Sequence, residues 1–211
     1  MGWLSTIMKI IELRCLSKAY HRKEVLTEVS YDFRKSELVL LVGENGSGKS
    51  TLIKGIIGLV RFNAGEVLLH TDLIAYVPER FAFPAYLTIL DFLRTICPNY
   101  SKEAISALLE EWELEPYKNY LLKNLSKGMA QKVLIMQALL TQAELYLFDE
   151  PLNGLDQWMQ ELFIQTLLAL KKEKATIIIA THYPECFLPC ADRILTLKNG
   201  GLYDTPASLS F

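Results

Sequence analysis

Apolar positions along the chain fall into two regimes. The first is strand-like. A continuous apolar run at 38–42, Leu-Val-Leu-Leu-Val, has the length and composition of a parallel strand buried on both faces, and 145–148 and 176–180 repeat the pattern. Residues 10–13, 66–69, 73–77 and 193–197 also read as strands, while 25–33 alternates so that Val29, Tyr31 and Phe33 share a face. Pro78 stops the 73–77 strand, and Asn199-Gly200-Gly201 is a hairpin turn into a last short strand. A helix over 50–59 follows the first buried run, and Gly58 helps to end it.

From Thr88 to about Leu140 the spacing turns helical. Ser101 can cap a helix whose positions Ile105, Leu108, Leu109 and Trp112 share one face, and 127–140 is a second strong helix. A third covers 157–170, where Trp158, Leu162, Phe163 and Gln165 are expected to flank the inner face. Leu155, Met159 and Thr166 extend that face, and Trp158 is expected in the core rather than at a ligand. Strands alternating with helices, interrupted by a helical block, predict an α/β fold carrying an α-helical subdomain over about 88–140. At 211 residues without repeats or long linkers, one domain over 1–211 is expected.

Composition narrows the partners. Hydrophobic residues make up 51% and charged residues 22%, as in a folded globular protein, and the formal charge of −2 gives no electrostatic case for nucleic acid. No apolar run reaches the ~18 residues of a membrane span. Residues 1–7 lack a basic start and an apolar stretch, so they do not read as a signal peptide, and Met8 is a candidate true start. Cysteines 15, 97, 186 and 190 match no zinc spacing and are expected to be reduced and mostly buried.

The chemistry concentrates at strand ends. Gly43-Glu44-Asn45-Gly46-Ser47-Gly48-Lys49-Ser50 fits the phosphate-loop pattern, with a buried strand before it and a helix after it, and Thr51 joins it as a candidate nucleotide contact. Its glycines let backbone N–H groups turn toward phosphate oxygens; Lys49 would reach the β- and γ-phosphates and Ser50 would ligate Mg²⁺. A chance glycine-rich turn would lack that context. The 145–148 strand ends in Asp149, placed to hold the same Mg²⁺ through water, and Glu150, placed to orient and deprotonate an attacking water. The 176–180 strand runs into Thr181 and His182. A lone histidine after a strand is ordinarily structural; beside two other reactive strand ends, a γ-phosphate contact is the better reading.

With these motifs in hand, the chain resembles the nucleotide-binding domain of the ATP-binding cassette family over essentially its whole length. The order of elements is the family's order: Tyr20, Gly43–Ser50, Tyr76-Val77-Pro78-Glu79, Leu125-Ser126-Lys127-Gly128-Met129, Leu145–Glu150, Pro151-Leu152-Asn153-Gly154-Leu155-Asp156 and His182. The resemblance implies a P-loop NTPase (RecA-like) core with an antiparallel β subdomain and an α-helical signature subdomain. It implies that Tyr20 stacks on adenine and that two cassettes pack head to tail around two ATP. Ser126 and Gly128 of one copy would then cap the ATP lying on the other's phosphate loop, and Asp156 would lie at the seam. Three positions depart from the family pattern: Glu79 stands where glutamine is most common, Lys127 replaces a glycine and Met129 a glutamine. Glu79 could still reach Mg²⁺. The Lys-Gly-Met variant is similar to exporter cassettes of the bacitracin- and multidrug-resistance group.

The resemblance further implies an ATPase using ATP and Mg²⁺ and working on the inner face of the cell membrane. Its partners would be an integral membrane permease and a second cassette, either an identical copy or a sister subunit. The aromatic segment Arg80-Phe81-Ala82-Phe83-Pro84-Ala85-Tyr86 either faces that permease or packs between the two lobes. A soluble cassette ATPase acting on ribosomes or DNA is the alternative, although this chain has neither a long coiled-coil insertion nor a second cassette. A small-molecule kinase would have no use for the Leu125–Met129 segment.

Overall fold

The computed structural model describes residues 8–21 and 23–205. The leading segment 1–7 lies outside the described residues. Six strands form one sheet in the order β5-β6-β7-β3-β8-β9, where β3 is Leu38–Val42, β5 Ile74–Val77, β6 Leu145–Asp149, β7 Thr176–Thr181, β8 Arg193–Lys198 and β9 Gly201–Thr205. The first five are parallel, and β9 returns antiparallel through a two-residue turn at Asn199-Gly200. Both turn residues have positive φ, at 50° and 78°, which suits Asn-Gly and matches the twist of the flanking strands.

A second sheet, β2-β1-β4, is antiparallel and is built from β1 (Lys9–Tyr20), β2 (Lys23–Arg34) and β4 (Ala64–Leu69). β1 runs well past the expected 10–13. Cys15 takes φ 47° and the pairing register shifts around it, so a bulge breaks the period-2 pattern that sequence reading depends on. The strand continues to Tyr20, opposite Lys23 of β2.

β3 separates two apolar cores. Val39 and Leu41 pack with Leu52, Ile53 and Ile56 of α1 (Lys49–Ile56) and with the antiparallel sheet. Leu38, Leu40 and Val42 face the other way, toward α2 (Ile89–Ile96), α3 (Lys102–Glu111), α4 (Lys127–Leu140) and α5 (Gln157–Lys172). α2, α3 and α4 all lie between β5 and β6 in the chain. Thr88, Ser101, Ser126 and Asp156 cap α2, α3, α4 and α5, each side chain accepting from a backbone N–H three residues on.

The core face of α5 differs from expectation. Met159, Phe163 and Leu167 are buried at successive i+4 spacings, and Phe163 meets Phe148 edge to face with ring centroids 5.1 Å apart. Trp158 lies one residue off that stripe and is 64% exposed, so it does not belong to the core. The expectation of mostly buried thiols is also corrected. Cys97 and Cys190 are buried, and burial pushes both thiols up, but Cys15 and Cys186 are exposed; all four are free.

The contrast on α5 is measurable. Phe163→Ala should cost about 3–5 kcal/mol in denaturant unfolding, because a fully buried ring leaves a cavity. Trp158→Ala should stay within about 0.5 kcal/mol of wild type. Equal losses would place Trp158 in the core after all.

Candidate functional site

The carboxyl ends of three adjacent strands converge on one cleft. β3 ends at Val42 and turns through 43–48 into α1. Gly48 takes φ 112°, and a Cβ there would sit 2.6 Å from Val25 Cγ1, so the loop can pack on β2 only with glycine at this position. Gly48 gives α1 no side-chain cap and no acid occupies its first turn, which leaves an electropositive helix end at the cleft. Lys49 folds back beneath the loop, its ammonium donating to Gly43 O at 2.7 Å and Glu44 O at 3.2 Å. Burial depresses its affinity for the proton, while the charges of Glu150, Asp149 and Glu79 restore part of it.

β6 ends at Asp149, and the left-handed backbone of Glu150 directly after it sends the two acids to different surroundings. Asp149, 1% exposed, faces α1 and accepts from Ser50 Oγ at 2.9 Å through Oδ1, and its Oδ2 is buried without a partner. Burial raises its carboxyl pKa, with the Ser50 hydrogen bond opposing. Glu150 is buried and sits in the left-handed region at φ 51°, held there by its N–H donating to Ala180 O at 2.9 Å. A non-glycine residue fixed in that conformation marks a place where surroundings override local preference.

β7 completes the group. Thr181 Oγ1 donates to Glu150 Oε2 at 3.4 Å and accepts from Tyr183 N at 3.0 Å. His182 Nδ1 lies 2.8 Å from Glu150 Oε1, although it has no aligned hydrogen-bond partner, and Lys49 Nζ is 3.9 Å from the same oxygen. Glu150 is therefore flanked by an ammonium, an imidazole and a hydroxyl. An acid so enclosed can orient a water and take its proton.

The cleft holds about 550 Å³ and is lined by Asn45, Gly46, Gly48, Lys49, Ser50 and Thr51, together with Glu79, Glu150 and His182. Tyr20 borders it, 44% exposed, with the Lys18 ammonium 4.7 Å from the ring centroid. Gly43, Glu44 and Ser47 shape the loop from behind. Gly43 and Glu44 supply the carbonyls that hold Lys49, and Glu44 O also accepts from Ser47 N at 3.1 Å. Lys23, Val25 and Asn153 also line the cleft, although their chemistry does not single them out in the sequence. The signal for Lys23 and Val25 was strand pairing: β2 runs back beside the end of β1 and carries them to Tyr20. Thr181, expected with His182 at a reactive strand end, closes β7 beside the cleft.

Ser126 and Gly128 line no part of this cleft. They open α4, where Ser126 Oγ accepts from Met129 N at 3.2 Å and keeps its own proton free to donate. Gly128 abuts the 153–156 loop so closely that a Cβ on it would lie 2.3 Å from Gly154 O. Met129 packs against the helical core.

Among the described residues, no group of three or more His, Cys, Asp or Glu could hold a metal alone. The Ser50–Asp149 pair nevertheless suits a hard cation shared with phosphate. It offers a hydroxyl oxygen and a carboxylate with one buried, unpartnered oxygen, and oxygen donors are what Mg²⁺ takes. Glu79 adds a carboxylate on the cleft wall.

The chain is similar in sequence and backbone to known proteins. The family model described as "ABC transporter" matches residues 26–153. The chain is 36% identical over 188 residues to "Uncharacterized ABC transporter ATP-binding protein YthP" of Bacillus subtilis (strain 168), covering 86% of this chain and 80% of that one. It is 31% identical over 193 residues to "Zinc import ATP-binding protein ZnuC" of Rickettsia bellii, covering 90% and 83%. A solved "ATP binding subunit of ABC transporter" matches the backbone with a TM-score of 0.84 at 31% identity, over 93% of this chain and 89% of that chain.

Asp149 offers a test of the site's electrostatics. Its folded pKa lies above its ordinary value, so between the two the folded state holds more protons and stability falls as pH rises. Asp149→Asn should therefore unfold at a higher temperature than wild type near pH 7, each 1 kcal/mol reading as about 2–4 °C at this chain length. The gain should shrink as pH falls through the raised value and vanish below the ordinary aspartate range. A mutant less stable at neutral pH would contradict a destabilising buried charge.

Proposed function

This chain belongs to the ATP-binding subunits of ABC transporters, an ATPase family, and on that premise we propose that it drives export through a separate membrane subunit, hydrolysing ATP between two cassettes. The observation that carries the shared site is the separation within one chain. Lys49, Glu150 and His182 line the cleft, while Ser126 and Gly128 sit elsewhere at the start of α4. Head-to-tail packing of a second cassette would bring its Ser126 hydroxyl, Gly128 N–H and α4 N-terminus to the γ-phosphate. Asp156, which caps α5, would then lie at the seam.

The adenine stacks on Tyr20 and the phosphates lie on the 43–51 loop. Lys49 turns from the Gly43 and Glu44 carbonyls toward the β- and γ-phosphates. Magnesium, when bound, neutralises phosphate charge, and Ser50, Asp149 and Glu79 would hold it. Glu150 takes a proton from the water that attacks the γ-phosphorus as the bond to the β-phosphate oxygen breaks. Thr181 orients the Glu150 carboxylate, His182 Nδ1 lies beside it, and His182 Nε2 is the ring nitrogen left to contact the γ-phosphate.

Support for a membrane partner comes from the segment after Glu79. Phe83 is committed inward, its ring centroid 5.3 Å from Phe92, whereas Phe81 is half exposed and Tyr86 is 80% exposed. Phe83 thus serves the packing and Tyr86 is free for a partner. Among the described residues no helix is long and apolar enough to cross a membrane. In this reading the permease is a separate chain and the cassette is peripheral on its cytoplasmic side. Export rests on Lys127 and Met129, which give the signature an exporter-like form. The similarity to a protein named for zinc import makes direction something to measure.

Lys49→Ala should lose ATP binding and turnover together; near-normal turnover would refute the assignment. Glu150→Gln should bind ATP but hydrolyse it about 10²–10⁴-fold more slowly. Unchanged hydrolysis would move the base elsewhere, with Glu79 next. Tagged Glu150→Gln protein purified from detergent-solubilised native cells with Mg-ATP should carry a stoichiometric polytopic membrane protein. Ribosomes, DNA or only soluble proteins in its place would favour the soluble cassette. Vesicles reconstituted with the complex would then report the direction of transport.

A further inference from the structure

Among the described residues, Tyr76 Oη and Asp149 Oδ2 are buried on one face of the sheet without hydrogen-bond partners. Their strands are neighbours, with Tyr76 paired to Leu147 and Val77 to Phe148. Side chains alternate along a strand, so Asp149 points to the same face as Leu147 and therefore as Tyr76. The packing agrees: Tyr76 and Leu147 belong to the core under α1, whereas Val77 and Phe148 belong to the core on the other side. Ser50, on α1, reaches down to Asp149 on this face. Diagonal neighbours on adjacent strands lie within reach of a long aromatic side chain. The Asp149 charge, after burial, pushes the phenol pKa upward, so the two groups sense each other.

A phenol hydroxyl donates one proton and accepts others, while an ionised carboxylate only accepts. The pair is chemically matched, and native structures rarely leave buried groups of this kind unsatisfied. We propose that Tyr76 is a positioning residue for the metal-holding carboxylate: its hydroxyl donates through one water to Asp149 Oδ2, fixing the carboxylate opposite Ser50. The inference rests on reading Ser50 and Asp149 as the pair that holds magnesium. It gives Tyr76, on the strand before Glu79, a role distinct from packing. Such outer hydrogen bonds set ligand orientation and tune metal affinity without touching the metal.

The test is Mn²⁺ binding to the full chain, followed by electron paramagnetic resonance with a non-hydrolysable ATP analogue present. Tyr76→Phe keeps the ring and removes only the hydroxyl. It should weaken Mn²⁺ binding about tenfold while metal-free binding of the analogue stays within about twofold of wild type. Unchanged Mn²⁺ affinity would overturn the proposal, including a case in which only the unfolding midpoint moved, since that outcome describes a purely structural tyrosine. Asp149→Asn in the same titration separates the two layers of argument. If it too leaves Mn²⁺ affinity intact, the reading of the metal pair fails, and the role of Tyr76 with it. If Asp149→Asn weakens Mn²⁺ binding and Tyr76→Phe does not, only the role of Tyr76 fails.

Discussion

Two carboxylates and one ammonium, all buried at the carboxyl end of a parallel sheet, set the terms for the rest of this structure. Asp149, Glu150 and Lys49 are 1%, 8% and 6% exposed. Taking charges out of water costs several kcal/mol each unless partners compensate, and here compensation is incomplete. Lys49 is 3.9 Å from Glu150 but spends its hydrogen bonds on the Gly43 and Glu44 carbonyls, and Asp149 has one oxygen without a partner. The result is a region of concentrated, poorly neutralised charge. A polyphosphate with a divalent cation has complementary requirements: its oxygens need the ammonium and the loop N–H groups, and its cation needs carboxylate charge. Binding such a ligand would relieve part of the fold's own electrostatic strain.

Holding such a cluster in place requires a rigid frame. β3, β6 and β7 are buried along their full lengths, and β3 fills cores on both its faces. Helices on one side and the antiparallel sheet with α1 on the other leave little room for these strand ends to shift. The left-handed backbone at Glu150 fits this picture. A conformation unfavourable for glutamate persists because β7 holds its amide and Thr181 holds its carboxylate.

The sequence made the parallel sheet legible because strands buried on both faces leave unbroken apolar runs, and 38–42 coincides with β3 residue for residue. The 127–140 helix coincides likewise with α4. What escaped were features decided by geometry across the chain. The Cys15 bulge hid the last half of β1, so Tyr20 could be named but not placed on a strand. Trp158 was drawn toward the core by hydrophobicity alone, whereas the i+4 run Met159–Phe163–Leu167 left it no room there. At the cleft, motif residues with distinctive chemistry were foreseeable, and the structure brings Lys49, Ser50, Glu79, Glu150 and His182 to one cleft, with Asp149 packed behind Ser50. Lys23, Val25 and Asn153 were not foreseeable from chemistry, because ordinary side chains acquire a role there only through strand pairing and a loop's return path.

Gly128 shows how one residue can answer two demands. The family pattern assigns it to a phosphate on a neighbouring cassette, but within this chain it is already constrained, since any side chain would strike the Gly154 carbonyl. Gly154, at φ 84°, is itself in a conformation that favours glycine and directly follows Asn153, which lines the cleft. Asn153 in turn donates its N–H to Glu150 O at 3.2 Å. A continuous path of backbone contacts therefore runs from the buried acid to the first turn of α4. A shift of the 150–156 segment must either carry the α4 N-terminus with it or open the contact between the two glycines. The same packing that excludes a side chain at position 128 thus ties the geometry of the cleft to the surface that would meet a second cassette.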